Sequence, residues 1–226
     1  MNQTPHLQGI GMTSARTRER LITRLSENGI TNPLILDRIR SVPRHLFVQE
    51  ALASRAYEDD ALPIGFGQTI SQPLIVALMT QALLENEDGS LRTMKKVLEI
   101  GTGCGYQTAV LAPLVGFVYS IERVAPLLAE TRKRLAALKV ANIRLRRDDG
   151  HRGWPGQAPF DGIIVTAAPT EVPQKLLEQL APGGRLIMPV GQQDAAQTLL
   201  RITVTPEGFV EERLCKVAFV PMVEGD

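Results

Sequence analysis

The chain has 226 residues, 44% of them hydrophobic and 22% charged, a size suited to one large domain that buries roughly 70% of the surface its unfolded chain exposes. Its 25 basic against 24 acidic side chains leave a net charge of +1, which argues against a nucleic-acid or anionic-membrane partner. Two cysteines, Cys104 and Cys215, make neither a metal spacing nor a disulfide framework, no apolar run approaches the ~20 residues of a membrane span, and a reduced, cytoplasmic setting is expected.

The opening MNQTPHLQGIGM lacks the charged-then-apolar order of a signal peptide, and residues 1–12 are expected to form a poorly ordered tail. A helical region is expected over residues 13–93. Thr13 or Ser14 can cap a first helix running to Asn28, with Leu21, Ile22 and Leu25 as its apolar face and Gly29 as its stop. Asn32-Pro33 starts a second through Leu34, Leu36 and Ile39, ending near Pro43. The stretch GFGQTISQP, Gly65 to Pro73, reads as a mobile loop bearing hydroxyls. It has neither the Lys of a phosphate loop nor a His, Cys or carboxylate to activate a serine. Pro73 then opens a helix, QPLIVALMTQALLE, with Leu74, Ala77, Leu78 and Ala82 on its apolar face, and NEDGS closes the region.

From Met94 the pattern alternates. KKVLEI, FVYSIE, IRLRR, FDGIIVTAA, GRLIMPVG, TLLRITVT and GFVEERLCKVAFVP read as strands. QTAVLAPLV, APLLAETRKRLAALKV and VPQKLLEQLAPGG read as helices, the last stopping at Gly183-Gly184. Such alternation implies a doubly wound, mostly parallel α/β sheet over residues 94–226, covered on both faces. The last strands follow one another without a helix, which implies an antiparallel end.

VLEIGTGCGY, Val97 to Tyr106, is a strand, a glycine turn and a helix start. Gly101, Gly103 and Gly105 make G-x-G-x-G, and Tyr106 stands where a dinucleotide fingerprint wants its third glycine. The pattern alone suits a tight turn as well as a binding site; the acids around it separate the two. Glu99, just before the first glycine, suits a ligand with a cationic amino group or sulfonium. Glu122, followed by Arg123, ends the next strand, where a carboxylate accepts from ribose hydroxyls. Asp149-Gly150 follows the third strand and can accept from an adenine amino group. A turn that approaches a nucleoside without gripping a pyrophosphate favours S-adenosylmethionine over NAD, and hence a Rossmann-like methyltransferase sheet.

VLEIGTGCGYQTAVLA, YSIER, the GWP…FDGIIVTAA block and LAPGGRLIMPVG resemble successive motifs of the protein-L-isoaspartate (D-aspartate) O-methyltransferases. VPRHLFV, DDALPIGFGQTISQP and the terminal VAFVP resemble signatures that other methyltransferases lack, and the resemblance spans residues 13–224. It implies a sheet whose last two strands exchange places relative to other methyltransferases. It implies S-adenosylmethionine as donor, S-adenosylhomocysteine as product, no metal, and a monomer acting on the α-carboxylate of L-isoaspartyl residues in damaged proteins and peptides. Carried over by position, it implies Ser71 as the active-site serine with Thr69 beside it. Cofactor contacts are implied at Glu99, Gly101, Thr102, Gly103, Gly105, Glu122, Arg123, Asp149 and Gly150, and a substrate wall at Val217, Ala218, Phe219 and Val220, with Ile70 and Gln72 flanking the serine. Cys104 stands where the family has Ser, and Asp148 where it has the first glycine of Gly-Asp-Gly. Leu74, Val76 and Val223 replace polar or aromatic groups of some relatives.

The implied chemistry explains a hydroxyl loop without a base. A peptide α-carboxyl with a pKa of about 3.5 is already ionised at neutral pH, so what remains is alignment of oxygen, methyl and sulfur. Neutral hydroxyls orient an oxygen whose charge is being lost, whereas a lysine would hold it more tightly in the ground state. KVAFVP is either an edge with which an extended peptide pairs or an ordinary apolar strand, and the sequence leaves both open. His45 reads as packing, His151 as a loop residue, His6 as tail, and Cys104 as small packing. Trp154-Pro155 reads as loop packing with adenine stacking open, and RKRL and RLRR as solvated faces. A methyltransferase of a small metabolite or RNA, and a non-catalytic S-adenosylmethionine-binding module, stand as alternatives.

Overall fold

The computed structural model of the chain describes residues 11–225; residues 1–10 of the expected tail, His6 among them, lie outside the described residues. A 3₁₀ turn at Gly11–Thr13 precedes α1 (Ala15–Glu27) and α2 (Pro33–Ser41). Helix α1 buries Leu21, Ile22 and Leu25 as its spacing predicts, but Ser14 makes no side-chain cap; its hydroxyl lies 3.3 Å from that of Thr17. Asn32 caps α2 by accepting from the Leu34 amide at 3.1 Å. That helix turns Ile35 and Ile39 inward and leaves Leu34 exposed, so its apolar face starts one residue later than the sequence suggests. Two further 3₁₀ turns, Arg44–Phe47 and Glu50–Arg55, lead into a hairpin of β1 (Leu62–Gly65) and β2 (Gln68–Ile70).

Helix α3 (Pro73–Leu84) is buried nearly all round. Val76, Met79, Leu83 and Leu84 are inside with the expected Ala77 and Ala82, while Leu74 and Leu78 are half-buried. A helix apolar on every side belongs between two layers, and α3 supplies residues both to the core of the N-terminal helices and to the core under the sheet.

The sheet strands are β3 (Lys96–Ile100), β4 (Phe117–Glu122), β5 (Ile143–Arg147), β6 (Phe160–Val165), β7 (Leu180–Val190), β8 (Gln197–Thr205) and β9 (Gly208–Val217). Helices α4 (Tyr106–Leu111), α5 (Ala125–Ala137) and α6 (Gln174–Leu177) connect them. The order is β5-β4-β3-β6-β7-β8-β9, with β3 to β7 parallel and the last two strands antiparallel to their neighbours. Succession reverses at β3, which puts the topological switch point at its carboxyl end. Strands β8 and β9 stand in chain order at the far edge, the arrangement that the exchange of the last two strands implies.

Two boundaries differ from the sequence reading. The helix expected to run to Gly183-Gly184 is a single turn, because Leu180 already pairs with Phe160 and Pro182 and Gly183 lie within β7. Proline has no N–H for a helical bond, so the apolar run that follows is free to join the sheet. The final strand stops at Val217, and Ala218, Phe219 and Val220 continue beyond it outside the sheet ladder.

Candidate active site

The carboxyl ends of β3, β4, β5 and β6 surround an open cleft. Gly101 turns the chain at φ +89°, and a Cβ there would sit 2.4 Å from Thr166 Oγ1, so only glycine meets both demands. Thr166 in turn donates to the Gly101 carbonyl at 2.6 Å. Glu122 ties this turn to the next: Oε2 accepts from the Gly103 amide at 2.8 Å and Oε1 from the Val124 amide at 2.9 Å. A carboxylate has about four lone-pair sites, so each oxygen keeps acceptor capacity, and Glu122 lines the cleft beside Arg123. Gly150 follows β5, and a Cβ there would strike Ile100 Cγ2 at 2.4 Å. Gly101, Gly103 and Gly150 on the cleft lining, with a carboxylate that keeps free acceptor sites beside them, fit a nucleoside donor such as S-adenosylmethionine.

Opposite these turns, GFGQTISQP forms a hairpin rather than the expected open loop. Phe66 at φ +55° and Gly67 at φ +68° make its turn, the positive-φ pair that suits the twist of a two-residue hairpin. Ile70 is buried in the core beneath, while Gln68 and Thr69 lie on the cleft wall. Ser71 follows the end of β2, half-buried, and is not among the residues that line the cleft. Gln72 does not face the cleft either; its amide donates to the Asp59 carbonyl at 2.9 Å.

The chain beyond β9 closes the remaining side. Gln197 grips Phe219, accepting from its amide at 2.6 Å and donating to its carbonyl at 3.1 Å. Ala168 then donates to the Val220 carbonyl at 2.8 Å and accepts from the Met222 amide at 2.9 Å. Of the expected substrate wall, Val220 lines the cleft, followed by Pro221, Met222 and Val223. Val217 and Phe219 instead pack into the core under the sheet, and Ala218 is exposed between them.

Residues 16–226 match the sequence profile of the family described as protein-L-isoaspartate(D-aspartate) O-methyltransferase. The chain belongs to that family. Protein-L-isoaspartate O-methyltransferase 1 of Nitrosococcus oceani is 56% identical over 216 residues, which cover 95% of this chain and 99% of that protein. A solved protein-L-isoaspartate O-methyltransferase, 28% identical, superposes with a TM-score of 0.80 over 92% of this chain and 66% of its own length. A Plasmodium falciparum chain described as a β-aspartate methyltransferase in complex with S-adenosyl-L-homocysteine, 24% identical, shares the fold with a TM-score of 0.74, over 92% of this chain and 99% of its own.

In this member of the isoaspartate O-methyltransferase family, several residues expected at the cofactor stand behind the wall rather than on it. Glu99 is fully buried under the turn, where Oε2 accepts from Thr108 Oγ1 at 2.5 Å and from Ser120 Oγ at 2.6 Å. The Ser120 hydroxyl lies 2.7 Å from that of Thr102, which is buried too. Burial, aided by the Glu122 charge and opposed by the two hydroxyls, pushes the Glu99 carboxyl up to about 7. Glu99 therefore braces the turn from below and is not among the residues that line the cleft. Gly105 serves packing: a Cβ there would meet Thr131 Cγ2 at 2.7 Å.

Asp149 is likewise turned inward. Its Oδ1 accepts from the His151 amide at 2.9 Å and lies 3.1 Å from the His151 Nδ1, while Oδ2 accepts from the Gly225 amide at 3.2 Å. Burial pushes its carboxyl up, but these contacts outweigh it and hold it below the usual carboxylate range. His151 thus has a partner that the sequence reading did not identify. Asp148 is the acid on the wall after β5, and Arg146 pairs with it at 2.5 Å. Thr166 and Ala167, also on the wall, escaped the sequence reading, although their place just after a strand at the carboxyl edge was the available signal. The lesser candidates pack as read: His45 Nδ1 lies 2.9 Å from the Tyr57 hydroxyl, Trp154 sits edge-on to Tyr119 with ring centroids 5.5 Å apart, and burial raises the Cys104 thiol.

Proposed function

We infer that this enzyme transfers a methyl group from S-adenosylmethionine to the α-carboxylate of L-isoaspartyl residues in damaged proteins and peptides, releasing S-adenosylhomocysteine. The ester then closes to a succinimide that reopens in part to normal aspartate, a step that needs no enzyme. The observation that carries the reading is the hydroxyl-bearing hairpin, continuous with the family's GQTISQP signature, set across a cleft from the glycine turns and Glu122. The readings as a small-metabolite or RNA methyltransferase, or as a non-catalytic binding module, are not favoured.

When bound, the sulfonium supplies an activated methyl. Gly101, Gly103 and Gly150 let the backbone approach the donor, and Glu122 offers acceptors to its ribose. Thr69, on the wall, and Ser71, next after the core-anchored Ile70, supply neutral donors that orient the acceptor carboxylate without neutralising it. The substrate chain runs extended between the hairpin and the Val220–Val223 segment, whose backbone offers sequence-independent pairing.

Incubation with labelled donor and two peptides differing only in Asp versus isoAsp tests this. Base-labile label in the isoAsp peptide alone is expected; label in both, or in neither, overturns it. Ser71→Ala should lower kcat roughly 100- to 1,000-fold, the scale of losing one oriented donor, with donor Kd unchanged by calorimetry. Full turnover in that variant would remove Ser71 from the reaction.

A further inference from the structure

Helix α3 begins one residue after Gln72, and its N-terminal amides need acceptors. Gln72 occupies the N-cap position but makes no side-chain cap, because its amide donates away to the Asp59 carbonyl at 2.9 Å. The missing acceptor comes from a distant part of the chain: Asp59 Oδ1 accepts from the Leu74 amide at 2.9 Å. Asp59 thus holds the chain on both sides of Pro73: its carbonyl accepts from the Gln72 side chain and its carboxylate from the Leu74 backbone amide. Its own segment is anchored from within. Arg44, fully buried, donates from Nε to the Ala56 carbonyl at 2.8 Å and from Nη2 to the Asp60 carbonyl at 3.3 Å, and Arg24 Nη2 donates to the Tyr57 carbonyl at 2.5 Å. On the other side, Ile70 is pinned in the core. Ser71 therefore lies between two fixed points, the buried Ile70 and the Asp59 grip on residues 72–74.

We propose that Asp59 is the positioning residue for the active-site hydroxyl segment: it supplies the cap of α3 from outside the helix and so sets where Ser71 stands relative to the cleft. The role rests on the methyl-transfer reading above. A displacement of about 1 Å at a reacting group costs on the order of 100-fold in rate, so a residue that touches neither donor nor acceptor controls turnover through this grip. The acceptor oxygen, not the negative charge, is what the geometry uses, so Asn at this position retains the function.

Three measurements test it: kcat and KM on the isoaspartyl peptide, donor Kd by calorimetry, and the thermal midpoint. Asp59→Ala should lower kcat by about tenfold or more with donor Kd within about twofold, and Asp59→Asn should recover kcat to within about threefold of the parent. In a Ser71→Ala background, Asp59→Ala should cost less than about twofold further, because the two changes act through one group. An undiminished kcat in Asp59→Ala, an Asn variant as poor as the Ala variant, or a full additional loss in the Ser71→Ala background overturns the proposal. Should Asp59→Ala not fold, Asp59→Glu, which keeps the charge but displaces the acceptor oxygen from the Leu74 amide, is judged by the same kcat-against-Kd criterion. Parent turnover on the isoaspartyl peptide reports on the functional reading itself, and the ratio of variant to parent reports on Asp59.

Discussion

Glu99 shows what a single buried carboxyl does to the whole stability curve. Its folded value of about 7 lies above its ordinary 4.5 because burial disfavours the charged form more than Thr108 and Ser120 favour it. The native protein therefore holds a proton that the unfolded chain releases between these two values. Stability from this group is full below pH 4.5 and is lost as pH rises to about 7, by on the order of 3 kcal/mol. Asp149 works the opposite way: its carboxyl is held low, so its contribution is present at neutral pH and lost on acidification below the usual range. Urea denaturation of the parent and of Glu99→Gln at pH 5 and pH 8 separates the two effects. The parent should lose at least about 1 kcal/mol more than the variant between those pH values, and equal losses would contradict the placement of Glu99 in a dry network.

At the scale of elements, the path of the chain after β9 decides the shape of the cleft. Gln197 opens β8, is nearly inaccessible, and imitates a neighbouring strand by pairing both backbone groups of Phe219. From there the chain reaches Ala168 and delivers Val220 to Val223 to the cleft. Gln197→Ala leaves those backbone groups without their buried partner, a cost of about 1–3 kcal/mol. We expect the variant to melt several degrees lower and to show a several-fold higher KM for the isoaspartyl peptide at saturating donor. An unchanged KM with a lowered melting point would make the segment a structural element alone.

At the scale of the molecule, the N-terminal helices do not form a separate body. Leu21, Ile35 and Phe47 share one apolar cluster with Tyr106 and Val110 of α4 and with Leu127 and Leu135 of α5. Helix α3 continues the packing into a second cluster with Val97, Val118 and Ile187 of the sheet. Because neither part keeps its core without the other, the helical region and the sheet should unfold together. Far-ultraviolet dichroism and the fluorescence of Trp154, which sits on the opposite face of the sheet in a third cluster, should then give coincident urea transitions. A helical loss that precedes the Trp154 transition would make the N-terminal region an independent unit.

Local chemistry made much of this legible from the residues alone. The parallel sheet followed from runs such as KVLEI and FDGIIV alternating with helices, and the place of the cleft from the glycine turns that follow its strands. What the sequence left hidden was set by contacts distant along the chain. The burial of Glu99, the inward turn of Asp149 toward Gly225, the cap that Asp59 supplies to α3, and the grip of Gln197 on Phe219 each join residues many positions apart, and no periodicity records them. The end of β9 and the shortness of α6 belong with these, since pairing partners, not propensity, decide where a strand begins and stops. Residue identity by itself determined the fold and the class of reaction, because turns and apolar periods are local; only the tertiary structure decided which acids face the cleft and which brace it, because burial and partnership are properties of the packed chain.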